Sequence, residues 1–216
     1  MDTSPARPPA DPRSLLITEE LDRRPPRAVD LSAEVEAMHR LTGIVAANPQ
    51  DAINRFLDIT MTICGAGSAG LSLLADGPGG SRIFHWDAVR GEFAEYTGGS
   101  TPADFSPCGL CLEAGRTILI ERPERIFTYF ASASPPIVEG LIVPLHDAGR
   151  RAIGTLWIVC HDEACRFDGE TARQMEQLAP LLVLAIRMRR EDAKLASTLD
   201  TLQRRVLARP ADEPAR

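Results

Sequence analysis

The sequence has no apolar run long enough to cross a membrane. Its longest such stretch, LAPLLVLAI at residues 178–186, falls well short of the roughly 20 apolar residues that a transmembrane helix needs. The N-terminal residues also contain no apolar core of signal-peptide length. We therefore expect a soluble, cytoplasmic protein.

An excess of positive charge is missing as well. The chain carries 24 Lys and Arg against 30 Asp and Glu, which gives a formal net charge of −6. Such a balance disfavours general attraction to DNA or to an anionic membrane surface. We expect neither nucleic acid nor a membrane among the partners.

Cysteines are few, and their number is odd. Five cysteines in 216 residues, without a secretion signal, do not indicate a disulfide framework, and reduced thiols are expected. The chain is 44% hydrophobic, which is enough for one core with tails.

Proline content divides the chain. Six prolines within residues 1–30 disfavour regular structure, so this segment is predicted to be a disordered tail. We expect the folded domain at 31–190, a C-terminal helical extension that could form a coiled coil at 191–208, and a disordered tail at 209–216.

Helical spacing of apolar residues predicts three main helices. The first, DLSAEVEAMHRLTGIVAA, has Ser32 as its expected N-cap, and the second follows Asn48-Pro49 and ends at Gly65. The third is one long helix over residues 168–208, in which Pro180 is a candidate kink.

Between these helices the apolar period changes to that of strands. Two strands flank the glycine turn at 77–80, a third reads RTILIER, and a hairpin turns around residues 147–151. The segment PERIFTYFA, which begins at Pro123, is predicted to be a short helix. This order of elements predicts an α+β fold with an antiparallel sheet.

Two stretches resemble a known family. PIVEGLIVPLHDAGRRAIGTLWIVCHD is similar to the final hairpin of GAF domains, and RFDGETARQMEQLAPLLVLAI is similar to the helix that follows it. TPADFSPCGLCLEAGRTILIERPERIFTYF further resembles GAF domains that precede bacterial sensor histidine kinases. The resemblance covers about residues 31–190.

The resemblance implies a sheet with two different faces. Helices from both chain ends would pack on one face, and an irregular roof would cover a ligand pocket on the other. The residues expected to line this pocket are aromatic, cysteine and acidic side chains: Phe84, Trp86, Phe105, Cys108, Cys111, Phe127, Tyr129 and Glu139. His85 and His146 are further candidates to orient a ligand.

The pair Cys108 and Cys111 suggests several kinds of chemistry. A structural zinc site needs about four ligands, and the second group available, Cys160, His161 and Cys165, is a poor knuckle, so no metal is expected. Free methionine sulfoxide reductases of the GAF family carry a cysteine just before the last hairpin, where this chain reads SASPPIVEG.

The sequence disfavours two further ligand classes. DFSP, at residues 104–107, loosely resembles the Asp-apolar-Pro motif of bilin-binding GAF domains but has one residue inserted. The charged motif of cyclic-nucleotide GAF domains is absent, and GAGSAG precedes a strand, so it is not a phosphate-binding loop.

The sequence therefore predicts a sensory or regulatory domain that is not an enzyme. It would bind a small molecule, form a homodimer through its C-terminal helix, and signal to a histidine kinase or another partner. A thiol redox enzyme and a bilin photoreceptor are the alternatives, and no cofactor is identified. The expected dimer seam is a stripe of mainly apolar positions: Leu181, Ala185, Met188, Asp192, Leu195, Leu199, Leu202 and Val206.

Overall fold

The computed structural model describes residues 11–28 and 30–207, which form helices and one sheet. The helices of this part of the chain are α1 (Glu20–Arg23), α2 (Leu31–Ala47), α3 (Pro49–Cys64), α4 (Pro107–Ala114) and α5 (Gly169–Leu207). The strands are β1 (Ser68–Asp76), β2 (Arg82–Gly91), β3 (Ser100–Pro102), β4 (Ile118–Glu121), β5 (Glu139–His146) and β6 (Ala152–Cys160). The predicted α+β class is confirmed.

All six strands form one antiparallel sheet in the order β3-β2-β1-β6-β5-β4. The two predicted hairpins, β1–β2 and β5–β6, lie next to each other because β1 pairs with β6. The edge strand β3 was not predicted, since three residues are too few to show a period of two.

Each face of the sheet is covered by a different layer. Helices α2, α3 and α5 cover one face, where Phe56, Leu71 and Ile158 belong to one core cluster. The opposite face is covered by the roof, which we define as residues 103–117 and 122–138. Phe127 of the roof packs there in a second cluster with Phe84 of the sheet.

The ends of the helices follow local capping chemistry. Asn48 Oδ1 accepts the amide hydrogen of Asp51 at 3.4 Å, and α3 ends where Gly65 takes the left-handed conformation at φ 65°. The predicted cap of α2, Ser32, is two positions late. Asp30 Oδ1 accepts the amide hydrogen of Ser32 at 3.0 Å, so Ser32 lies inside the first turn.

A β-bulge changes the alternation of β2. Leu71 pairs with Ala88 and Ser72 pairs with Trp86, so Asp87 is the extra residue. A simple alternation along this strand would place Trp86 and Ala88 on one face. The bulge instead leaves Trp86 on the roof side and turns Ala88 toward the helices.

The N-terminal segment is ordered where the structure describes it, so the prediction of a disordered tail is wrong for residues 11–28. Pro12–Leu15 forms a 3₁₀ turn, and Leu16 then bridges Ile120 of the edge strand β4. Leu15 and Leu21 are buried. The favourable free energy of burying these apolar side chains explains why a proline-rich segment is ordered. Residues 1–10 lie outside the described part of the chain.

Two predictions about helices need correction. The segment after Pro123 forms two 3₁₀ turns, Pro123–Arg125 and Thr128–Phe130, rather than one helix. α5 is continuous through Pro180 and ends at Leu207. The predicted tail at 209–216 lies outside the described residues. No helix in the described ranges is long and apolar enough to cross a membrane.

The predicted seam on α5 divides into two parts. Ala185 is buried in the core of the domain, and Leu181 and Met188 pack against the same cluster. Beyond Arg190 the helix leaves the domain, and Leu195 and Leu199 are 63% and 60% exposed. The first half of the stripe therefore serves the chain's own core. The side chain of Val206 is outside what the structure describes.

Candidate functional site

A cavity of about 50 Å³ lies between the sheet and the roof. Its walls are almost entirely apolar, and no charged side chain of the described residues lines it. The lining residues come from the sheet, the β2–β3 segment and the roof: Trp86, Phe93, Thr101, Pro107, Cys108, Ile120, Pro123, Phe130, Ile137, Gly140, Ile142, Trp157 and Val159.

Both tryptophans of the chain line this cavity, and the sheet positions each of them. Trp157 lies over Gly70 of the neighbouring strand, where an added Cβ would come within 2.0 Å of its ring. Its Nε1 donates a hydrogen bond to Ser72 Oγ at 2.8 Å, which fixes the ring across β1. Trp86 is held by the bulge of β2 and lies nearly parallel to the ring of Phe130.

Helix α4 supplies the roof above the tryptophans. Ser106 caps it by accepting the amide hydrogen of Gly109 at 3.1 Å, and Pro107 occupies its first turn. This start places the Cys108 thiol at the cavity wall, beside the hydroxyls of Ser72 and Thr155. The buried Thr155 hydroxyl makes no hydrogen bond within the described residues.

The two roof cysteines are both buried. Burial raises the pKa of both Cys108 and Cys111, which keeps the thiols protonated. Cys111 Sγ lies 3.5 Å from the carbonyl oxygens of Arg116 and Ile142, so it ties α4 to β5. Because the thiolate is the nucleophile, such thiols favour packing over catalysis.

Five of the eight predicted pocket residues lie between the sheet and the roof. Trp86 and Cys108 line the cavity itself. Phe84, Cys111 and Phe127 are buried in the same cluster but do not reach the cavity wall.

The other aromatic candidates lie on the outside of the roof. Phe105 and Tyr129 are 43% and 37% exposed, and the Tyr129 hydroxyl donates a hydrogen bond to the carbonyl oxygen of Phe105 at 3.1 Å. His85 and His146 are exposed and do not line the cavity.

Glu139 lies on the face of the sheet opposite the cavity. It is 3% exposed, and its carboxylate forms a bidentate pair with Arg24 at 2.8 and 2.9 Å. It also accepts the amide hydrogen of Phe167 at 3.1 Å, and Arg166 lies 3.3 Å away. The expectation of a pocket carboxylate is therefore wrong, because the partner of Glu139 is an arginine from the segment predicted to be disordered.

Several lining residues were missed by sequence reasoning. Trp157 and Val159 alternate with Leu156 and Ile158 in β6, so the sequence does divide them between two faces. It does not tell which face the roof covers. Phe93 follows the bulged strand, and Phe130 belongs to a 3₁₀ turn. Neither segment has a regular apolar period that would identify its inward-facing side chains.

Behind the cavity, the end of β6 is held by polar contacts. His161 Nδ1 donates a hydrogen bond to the carbonyl oxygen of Pro136 at 2.9 Å, because a carbonyl can only accept. Its Nε2 lies 2.8 Å from Ser68 Oγ, which also accepts the amide hydrogen of Phe93. The Phe93 ring packs on the His161 ring, so the cavity wall and this corner are in contact.

The same corner contains a disulfide between Cys160 and Cys165, whose Cα atoms are 5.8 Å apart. The expectation that all thiols are reduced is therefore wrong for this pair. The sequence could not show it, because the return of the chain after β6 brings the two residues together. Across residues 11–28 and 30–207, no group of His, Cys, Asp and Glu side chains is placed to hold a metal ion.

Comparison with known proteins gives one family match. A family model described as GAF domain matches residues 46–187. A search of curated proteins found no significant match.

Solved structures share the fold. Free methionine-R-sulfoxide reductase from Neisseria meningitidis has a TM-score of 0.60 and 21% identity, over 77% of this chain and 96% of that one. The GAF domain of a protein assigned as a sensor histidine kinase in Pseudomonas syringae pv. tomato has a TM-score of 0.53 and 17% identity, over 78% and 94%. A phycoerythrobilin-bound GAF domain from a cyanobacterial phytochrome has a TM-score of 0.56 and 13% identity, over 77% and 100%. At these identities, the likeness concerns the fold.

Proposed function

The chain belongs to the GAF domain family, and on that premise we propose that it is a sensory domain that binds a small, uncharged, mainly apolar molecule. The observation that carries this proposal is the cavity between the sheet and the roof, with its apolar wall and two tryptophans. An ion would lose its hydration there without gaining a partner, whereas an apolar or aromatic molecule would gain contact with the rings.

The size of the cavity limits the ligand further. A volume of about 50 Å³ holds a few water molecules or a few heavy atoms, whereas drug-sized ligands occupy pockets of roughly 300–1,000 Å³. A ligand of one or two rings therefore requires the roof to move outward. The 3₁₀ turns that carry Pro123 and Phe130 lack the ladder hydrogen bonds of the sheet and are the natural part to move.

The proposed signal passes from the cavity to α5. Trp86 lines the cavity, and the next residue, Asp87, pairs with Arg189 of α5 at 2.7 Å. A ligand that displaces the Trp86 ring would shift the bulge, and with it the point where α5 leaves the domain. We propose that α5 then acts on a histidine kinase or another signalling partner, in the cytoplasm, from a homodimer joined through the helix.

Two other activities of GAF-fold proteins are less well supported here. Sulfoxide reduction by cysteine needs a reactive thiolate, and Cys108 and Cys111 are buried with raised pKa values. Bilin binding needs space for a large chromophore, and the cavity is far smaller than that. We therefore favour binding of an apolar ligand over sulfoxide reduction and over bilin binding.

The test starts from the full chain purified from its own host. Native mass spectrometry should show a bound neutral species, and neutral one- and two-ring aromatics should quench the fluorescence of the two tryptophans. A chain without a bound species, unaffected by such a panel, would overturn the proposal. A visible absorption band would favour the photoreceptor, and turnover of free methionine sulfoxide would favour the enzyme.

A cavity-filling variant sharpens this test. In Gly140→Ala, the new methyl group would lie 3.3 Å from Ile120 Cγ1 and 3.5 Å from Ile120 Cδ1, so the Ile120 side chain must shift by a few tenths of an ångström. We expect the affinity for the aromatic probe to fall about fivefold, since the new methyl group takes the place of a methyl-sized part of the probe whose burial is worth about 1 kcal/mol. Gly43→Ala is the matched control, because nothing lies within 4 Å of its new methyl group. If the two variants bind the probe with equal affinity, the probe does not bind in this cavity.

A further inference from the structure

The disulfide between Cys160 and Cys165 lies at the junction of the cavity and α5. Cys160 is the last residue of β6 and directly follows Val159, which lines the cavity. Cys165 lies four residues before Gly169, the first residue of α5. The bond therefore closes a loop of the chain where the sheet passes into the signalling helix.

One end of this bond is open to solvent. Cys160 is 0% exposed, whereas Cys165 is partly exposed. Both line an open groove of about 630 Å³ between the Gly65–Gly67 turn and the loop at 161–165. Because Cys165 is partly exposed and Cys160 is buried, Cys165 is the residue that a thiolate entering this groove would meet first.

We propose that Cys160 and Cys165 form a reversible thiol–disulfide site that is reduced by a dithiol. The thiolate of the dithiol attacks Cys165 Sγ, the bond between the two protein sulfurs breaks, and Cys160 leaves as a thiolate. The second thiolate of the reductant then attacks the reductant sulfur that is bonded to Cys165 Sγ. This step closes the disulfide of the reductant and releases Cys165 as a thiolate. Two electrons and two protons pass to the protein, and the dithiol leaves as a disulfide.

Reduction changes how α5 is attached. In the oxidised chain, the start of α5 is joined to β6 through the bond, while Arg166 pairs with Glu139 and His161 bonds to Pro136. In the reduced chain only the non-covalent contacts remain, so the loop before α5 opens more easily. Because the same loop packs on Phe93, the redox state also acts on the cavity wall.

The cytoplasmic location proposed above agrees with a reversible disulfide between Cys160 and Cys165. In a reducing compartment, disulfides are mainly transient, catalytic or redox-sensing. The other three cysteines, Cys64, Cys108 and Cys111, are buried and free, so they stand apart from the exchange.

Differential alkylation of the native full chain tests the site itself. The chain is equilibrated in reduced and oxidised dithiothreitol at several ratios, quenched in acid, unfolded, alkylated, and analysed by peptide mass spectrometry. We expect Cys160 and Cys165 to change together from unlabelled to labelled as the ratio rises, while the free thiols Cys64, Cys108 and Cys111 are labelled at every ratio. If Cys165 is labelled at every ratio, including the most oxidising one, it does not pair with Cys160, and the proposal is overturned.

Hydrogen exchange tests the consequence. We expect amides of residues 161–170 to exchange about tenfold faster in the reduced wild-type chain than in the oxidised one. The double variant Cys160→Ser/Cys165→Ser should match the reduced chain and ignore dithiothreitol, while Cys64→Ser should respond like the wild type. Equal exchange in the two wild-type states would show a disulfide without a switch. No ligand is used, so the result is separate from that of the cavity proposal.

Discussion

At the scale of single residues, the buried carboxylates of Glu139 and Asp168 each bind a distant part of the chain, through Arg24 and Arg27 respectively. Glu139 interrupts an apolar strand, and from the sequence it can be inferred that such a carboxylate needs a partner. The strand period does not tell which face of the sheet it occupies. The identity of its partner, Arg24, depends on an N-terminal segment that has no strong pattern of its own.

We predict that Glu139→Gln destabilises the chain without changing the cavity. Removal of one charge from a buried pair costs roughly 3 kcal/mol, which lowers the unfolding midpoint of a chain this size by about 6–12 °C. Binding of the aromatic probe should be unchanged, because Glu139 lies on the opposite face of the sheet. Thermal unfolding and fluorescence quenching measure the two effects.

Glu163→Gln provides the control for the pair. Glu163 is exposed and pairs with Arg122 and Arg166 on the surface, so its loss should cost about 0–1 kcal/mol. A midpoint that falls equally in both variants would contradict the importance assigned to the Arg24 pair.

A second acidic residue, Asp168, should make stability depend on pH. It caps α5 by accepting hydrogen bonds from Thr171 N and Oγ1 at 2.9 Å, and it accepts the amide hydrogen of Arg27 at 2.6 Å. Burial alone would raise the pKa of Asp168, but these hydrogen bonds outweigh it and lower the pKa. The stabilisation is therefore present above the unfolded pKa of about 4 and is lost as the pH falls through the lower folded pKa.

We predict that Asp168→Ala costs about 1–2 kcal/mol at pH 7. The difference from wild type should shrink as the pH falls below about 4, because the wild-type carboxylate then protonates. Asp168→Asn keeps one acceptor and, like Asp168→Ala, cannot titrate, so it should be intermediate in stability at pH 7, and its difference from wild type should shrink over the same pH range. Denaturant titrations from neutral to acidic pH give the measurement, and a difference that is constant with pH would contradict it.

Among the site residues, those in regular structure were the more predictable. Trp86 lies in a strand and Cys108 follows a Ser-Pro helix start, and both reach the cavity. Phe105 and Tyr129 lie in irregular segments, where burial depends on how the roof folds over the sheet. Aromatic character alone predicted a pocket position for them, and the structure exposes both.

At the scale of elements, long periodic segments were predicted and short ones were not. Helix α3 combines a proline start, an apolar stripe and a glycine end, and all three signals are local. The bulge at Asp87 depends on the register of β2 against β1, and the 3₁₀ turns of the roof are too short to show a period. Sequence patterns therefore located the hairpins but not their irregularities.

The N-terminal segment yields a prediction at this scale. Deletion of residues 1–24 should strongly destabilise the domain, because it exposes the sites of Leu15 and Leu21 and leaves Glu139 without Arg24. Burial of each leucine is worth about 1.5–3 kcal/mol, so a total loss of about 5 kcal/mol or more is expected. The free energy of unfolding from denaturant titration is the measurement.

Deletion of residues 1–10 is the matched control. It leaves the 3₁₀ turn at Pro12–Leu15 and the bridge from Leu16 to Ile120 in place. A stability close to that of the full chain is expected. If the longer deletion is equally harmless, the segment packs on the domain without stabilising it.

At the scale of the whole molecule, the class of fold was predictable and the arrangement of the sheet was not. The order of helices and hairpins along the chain indicates an α+β fold with an antiparallel sheet. The pairing of β1 with β6, which joins the two hairpins, brings together residues about 90 positions apart and leaves no local trace. The location of the cavity follows from that pairing, since Trp157 of β6 lies across Gly70 of β1.

The exposed end of α5 gives the prediction that concerns the whole assembly. Leu195, Leu199 and Leu202 are at least half exposed and follow a spacing of four and three, which is typical of a two-stranded coiled coil. Each would gain about 1.5–3 kcal/mol on burial against a second copy. We predict that the full chain is a dimer in light scattering at several concentrations and that a chain ending at Arg190 is a monomer.

A substitution at Asp192 then tests whether the exposed leucines form a dimer interface. It is exposed and lies in the stripe ahead of Leu195, so Asp192→Leu should lower the dimer dissociation constant by about tenfold or more. Ser197→Leu is the control, because Ser197 lies on the other side of the helix and should leave dissociation unchanged. If both the full chain and the truncated chain are monomers, α5 has no partner helix of its own kind, and the signal from the cavity must reach another protein through a single helix.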